Sequence, residues 1–116
     1  MSISRINSNN RLSGALTFGE LVFLSGQVPG DSRDISGQTA EVLAKIDALL
    51  AEAGSDKDHL LSATIYLSDI GRDFAAMNEV WSHWFSPGKA PTRTTLQAQL
   101  ARPEILVEIT VIAARR

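Results

Sequence analysis

The sequence predicts an α+β two-layer sandwich over residues 1–116, with two helices laid on one mixed or antiparallel sheet as a single domain. Three observations carry that prediction. Most segments alternate apolar and polar residues with period two. Only two segments repeat their apolar residues at three and four. Read in order, the elements run βββαβαββ, with no internal repeat, linker or low-complexity stretch between them.

The stretch "SRINSNNRL" mixes alternation with turn formers, which gives a short strand about Ile3 to Ile6 and then a loop. "ALTFGELVFLSGQVPG" reads as a hairpin, with strands near Ala15–Phe18 and Leu21–Ser25 joined by Gly19-Glu20. Pro29-Gly30 and "DSRD" make a loop. From Ser36 the period changes: Val42, Leu43, Ile46, Leu49, Leu50 and Ala53 share one helical face, and Gly54 supplies the stop. "LLSATIYLSD" returns to period two. Leu61, Ala63, Ile65 and Leu67 face one way, and Ser62, Thr64, Tyr66 and Ser68 the other. A second helix is expected near Arg72 to Phe85, with Phe74, Met77, Trp81, Trp84 and Phe85 as its apolar stripe and Pro87-Gly88 at its end. Two last strands, about Thr92–Ala98 and Ile105–Ala114, are separated by "QLARPE".

The final strand bears on assembly. Ile105, Val107, Ile109, Val111 and Ala113 form a face for the helices, yet the opposite face, with Leu106, Glu108, Thr110 and Ile112, is too apolar for water. A second buried face calls for a partner, so an oligomer with packed sheets is expected.

Composition narrows the function classes. Apolar residues are 44% and charged residues 21%, values usual for a globular protein. A formal charge of -2 offers no electrostatic reason to bind nucleic acid or an anionic membrane. No run approaches the roughly 20 apolar residues of a membrane span, and "MSISRINSNN" lacks a signal-peptide pattern, so a cytoplasmic location is the simplest expectation. With no cysteine, disulfides, thiolate catalysis and thiolate metal sites are excluded. His59 and His83 lie in different elements without metal-ligand spacing.

Two charges stand out among residues that suit a half-buried sheet, Arg93 and Glu108. A structural ion pair is one explanation. The other is a site in which a guanidinium fork grips a carboxylate and a carboxylate orders a water. Thr95, two residues after Arg93, projects from the same strand face and its hydroxyl or backbone is a candidate contact. Ser25 closes an apolar strand at "LSGQ", where Gly26 allows close approach of a ligand; no G-x-S-x-G elbow marks the serine as a nucleophile, so it reads as pocket lining. Asn78 is polar on an otherwise apolar helical face and either buttresses a cleft or satisfies backbone.

Six segments together resemble the Rid family (reactive intermediate deaminases, or YjgF family). They are "VFLSGQVP" at 22–29, "GQTAEVLAKIDALLAEAG" at 37–54, "ATIYLSDI" at 63–70, "FAAMNEVWSHWF" at 74–85, "APTR" at 90–93 and "VEITVIAAR" at 107–115. The resemblance implies a chorismate-mutase-like fold and a homotrimer whose sheets face a central core, with clefts between neighbouring subunits. It also implies hydrolysis of 2-imino and enamine acids of the 2-aminoacrylate or iminopropanoate type to 2-oxo acids and ammonia, with no cofactor or metal. Arg93 and Glu108 match the family's functional positions, and Arg93, Thr95, Ser25, Gly26 and Asn78 are the residues that the resemblance and the residue types together point to for binding the substrate. Leu12 stands where the best-characterised deaminases of the family carry Tyr, and Thr95 where they carry Cys. A non-catalytic trimer binding a small carboxylate in the same cleft is the alternative reading.

Overall fold

In the computed structural model, which describes residues 1–116, alternation and helical period yield six strands and two helices in the expected order. The strands are β1 (Ile3–Ser8), β2 (Ser13–Phe18), β3 (Leu21–Leu24), β4 (Leu60–Leu67), β5 (Thr92–Gln97) and β6 (Val107–Ala114). They form one sheet in the order β1-β2-β3-β6-β4-β5. Only β4 and β5 pair in parallel, and every other neighbouring pair is antiparallel, so the sheet is mixed. Helices α1 (Ile35–Glu52) and α2 (Ile70–Ser82) cover one face, α2 forming the crossover between the parallel strands.

Each helix begins where an aspartate can cap it. Asp34 accepts a 2.7 Å bond from Gly37 N, so α1 starts one residue before the expected Ser36. Asp69 accepts from Arg72 N at 3.1 Å, and α2 starts two residues before the expected Arg72. At the other end of α1, Gly54 takes a φ of 82°. Its N–H donates to Ala51 O at 3.2 Å and that of Ser55 to Leu50 O at 2.8 Å, the paired bonds of a Schellman stop. The expected end of α2 at Phe85 is corrected: the helix stops at Ser82. Trp84 and Phe85 fold back beyond it to pack edge and tilt against Trp81, at 5.7 and 4.9 Å between centroids. A single 3₁₀ turn, Lys57–His59, was not evident from periodicity; Asp56 caps it.

The core lies between helices and sheet. Val42, Ile46 and Leu50 of α1 meet Val22, Ile65, Leu67, Ile109 and Val111 of the sheet with essentially no exposure. Each such side chain contributes roughly 1.5–3 kcal/mol through burial. One facing is corrected here. Leu61 does not point with Ala63, Ile65 and Leu67 but is 45% exposed, because an irregularity between Leu60 and Ser62 turns Leu60 into the core instead. Phe74 also leaves the expected buried stripe and is 41% exposed.

The other face of the sheet carries no helix. Paired residues share a face, so the register assigns to it Leu16, Phe18, Leu21, Phe23, Ile112, Thr110, Glu108, Thr64, Tyr66 and Leu96. Phe18, Leu21, Phe23 and Leu96 are exposed there. No helix of the chain is long and apolar enough to cross a membrane.

Candidate functional site

The sheet register separates the residues into two half-sites. Arg93 pairs with Ala63 and Thr95 with Ile65, so both side chains stand on the helix-bearing face of β5. Glu108 pairs with Tyr66 and stands on the open face. Within one chain Arg93 and Glu108 therefore cannot form an ion pair, and none exists between them. Of the two explanations the sequence left open, an ion pair within one chain is thereby excluded: strand parity places the charges on opposite sides of the sheet.

The first half-site is built by α2 over β5. Asn78 Oδ1 accepts a 2.7 Å bond from Arg93 Nη1. The rings of Phe74 and Trp81, each 5.8 Å from the guanidinium carbon, flank the cation. Residues 74, 78 and 81 recur at four and three, so one stripe of α2 frames the arginine. Partial burial lowers the Arg93 pKa from its ordinary value, though a guanidinium remains charged at any physiological pH. No carboxylate neutralises it. The exposed ring of Phe74 thus has a reason to leave the core. Sequence reading missed Phe74 and Trp81 as site residues by assigning both to an apolar stripe; their spacing around the polar Asn78 was the available signal.

Thr95 lies beside this group. Its hydroxyl is buried and has no hydrogen-bond partner. The strand that carries it is the last in the sheet, so its outer backbone edge pairs with no strand of this chain. That edge leaves backbone donors and acceptors near Thr95 open to a ligand.

The second half-site lies where β3 ends beside β6. The Gly26 α-carbon sits so close to the Glu108 side chain that a Cβ there would collide with Oε2 and come within 3.0 Å of Cδ. Any side chain at position 26 would have to push the Glu108 carboxylate aside, and with glycine there the carboxylate is seated against backbone. Gln27 N and O bond to Ile109 O and N at 2.9 and 3.1 Å, locking that turn onto β6. Ser25 Oγ donates to Ser13 O at 2.6 Å, so its hydroxyl ties β3 to the start of β2. Leu12, one residue before Ser13, is 52% exposed at this end of the sheet. The structure thus brings together Ser25, Gly26 and Glu108 on one side, and Arg93, Asn78 and Thr95 on the other. No three His, Cys, Asp or Glu side chains gather where they could hold a metal ion.

Comparison with known proteins agrees with this architecture. A family model described as "Endoribonuclease L-PSP" matches residues 2–115. A RutC family protein from Haemophilus ducreyi is 41% identical over 97% of this chain and 96% of its own. The RutC family protein YoaB of Escherichia coli is 42% identical, over 98% of this chain and 99% of its own. A crystal structure of a YjgF-family protein from Neisseria meningitidis superposes with a TM-score of 0.97 at 48% identity, covering 100% of this chain and 97% of that one. With two helices on a six-stranded mixed sheet and relatives of this kind along its whole length, the chain belongs to the YjgF/Rid family.

Proposed function

We propose that the protein hydrolyses 2-imino acids and their enamine tautomers to 2-oxo acids and ammonia, in clefts completed between copies of the chain. The observation that supports this most directly is Arg93, a guanidinium oriented by Asn78 and two rings and left without an acid. Such a group is preorganised for the α-carboxylate of a small substrate, and a hydrogen bond to a charged partner contributes about 1.5–3 kcal/mol.

The chemistry then follows from the remaining parts. The outer backbone edge near Thr95 holds the imine nitrogen, with the carboxylate on Arg93. Glu108, seated against Gly26 on a neighbouring copy, orders a water against the imine carbon and accepts its proton. Addition of water gives a carbinolamine. With the imine protonated at the outset, the proton on Glu108 passes to the carbinolamine nitrogen; the C–N bond then breaks, ammonia leaves, and the hydroxyl returns its proton to Glu108 as it becomes the carbonyl. The open apolar sheet face supports assembly as a homotrimer, which brings the open face of one copy against another. The remaining partner is the small imino or oxo acid itself, and a cytoplasmic location suits such a metabolite.

The test is turnover of enzymatically generated iminopropanoate, followed as loss of the imine above its spontaneous hydrolysis. Wild type accelerates the loss, and Arg93→Ala abolishes both acceleration and pyruvate binding while the fold persists. Pyruvate binding without acceleration would replace the hydrolase with a carboxylate-binding protein.

A further inference from the structure

Beside Arg93 lies a cavity of about 630 Å³ whose lining includes Trp81, Ser82, Phe85, Ser86, Gly88 and Ala90. Its size falls within the range of small-molecule sites. Trp81 and Phe85 form an edge-to-face corner, 4.9 Å between centroids and 77° between planes, which makes an aromatic wall. Nothing stands within 4 Å of where a Cβ on Gly88 would sit, so the mouth is open on that side. Ser86 Oγ is engaged by Asp58 Oδ2 at 2.6 Å, which removes it as a ligand donor. Arg93 is the only charged side chain in the lining.

We infer that this cavity takes the side chain of the 2-imino acid, and that the preferred substrates carry bulky apolar side chains, aromatic ones included. The inference rests on the function proposed above, since it needs the substrate carboxylate on Arg93. A side chain begins two bonds from that carboxylate carbon, and the cavity wall itself contains Arg93. Trp81 serves both places: one ring flanks the guanidinium at 5.8 Å and also lines the cavity. The one charge in the lining, Arg93, is taken by the α-carboxylate, so a second charge on the substrate side chain finds no free partner and acidic and basic side chains are disfavoured by desolvation.

The test uses stable 2-oxo acids in place of the reactive imines. Binding of pyruvate, 2-oxobutanoate, 4-methyl-2-oxopentanoate and phenylpyruvate to the full chain is measured by calorimetry. A buried methylene is worth roughly fourfold in affinity, so the series gains about tenfold or more from pyruvate to the two largest acids. Filling the cavity by Ala90→Phe, or independently by Ser82→Phe, lowers the phenylpyruvate-to-pyruvate affinity ratio about tenfold; both residues are exposed and outside the core. A flat series in wild type overturns the inference, as does an unchanged ratio in both folded variants. If the series is flat while Arg93→Ala still abolishes pyruvate binding, only the side-chain assignment falls. If no 2-oxo acid binds wild type, the proposed function falls with it.

Discussion

A guanidinium that spends one N–H on an amide and lies 5.8 Å from the centres of two rings keeps its other donors for a ligand. Asn78→Ala removes the bond that aims Arg93, and about a tenfold loss of 2-oxo acid affinity is expected, with melting temperature little changed. Wild-type affinity in that variant would show that the rings alone hold the arginine. Gly26 makes a different prediction. A methyl group there displaces the Glu108 carboxylate, so Gly26→Ala slows turnover as Glu108→Gln does, by the 100- to 10,000-fold range of acid–base groups, while pyruvate still binds. Both variants are read by single-turnover rate and analogue affinity. Thr95 is legible in the opposite sense: its hydroxyl is buried without a partner, so Thr95→Val removes a desolvation cost and raises unfolding free energy by about 1 kcal/mol. Loss of stability in a urea titration would place an unseen partner on that oxygen.

At the scale of elements, alternation and helical period reveal what a segment becomes but say less about where it stops. The buried face of α1 is that expected from Val42, Leu43, Ile46, Leu49 and Leu50, because a 3.6-residue period needs no tertiary knowledge. The ends of α2 were displaced because Asp69 caps it early, and because Trp84 and Phe85 keep their aromatic packing on Trp81 after the helix has ended. Leu61 was misplaced because an irregularity breaks strand parity, and nothing local announces it. The site was half legible for the same reason. Identities of Arg93, Asn78 and Glu108 could be read, but the face each occupies depends on which strands pair and in what register. The 3₁₀ turn Lys57–His59 offers a test by pH. Asp56 is held below its ordinary value of 3.8 first by the hydrogen bond from His59, and Asp58 below 3.8 by the hydroxyl and amide of Ser86. Depressed carboxyl pKa values stabilise the fold above the unfolded value, and that contribution is lost as pH falls through the folded values. The double variant Asp56→Asn, Asp58→Asn should therefore be less stable at neutral pH, yet lose less on going from about pH 5 to about pH 2. Parallel urea midpoints for both proteins across that range would remove these two residues from the acid response.

For the whole molecule, the decisive fact is that the half-sites use different surfaces. Arg93 belongs to the helix-bearing face at the β5 edge, and Glu108 to the open face near the end of β3. A cleft that joins them must bring unlike patches of two copies together. A head-to-tail contact between unlike patches closes into a ring when its rotation divides the circle, three times over in the proposed trimer. The exposed Phe18, Leu21, Phe23 and Leu96 give the open face a reason to be covered in that ring. Light scattering should then give three times the 12.5 kDa of one chain. Mass alone does not locate the cleft, but subunit mixing does. Co-expressing Arg93→Ala and Glu108→Gln chains yields rings in which an intact Arg93 of one chain can face an intact Glu108 of the next. Random assembly of equal amounts makes about three quarters of the trimers mixed, and each mixed trimer holds one complete cleft out of three. About a quarter of wild-type activity should therefore return, although each variant alone is inactive. Were both residues to act from the same chain, every cleft would lack one of them and mixing would restore nothing. Failure of recovery in trimers shown by mass to contain both chains would put the reacting groups elsewhere and end the shared-cleft mechanism.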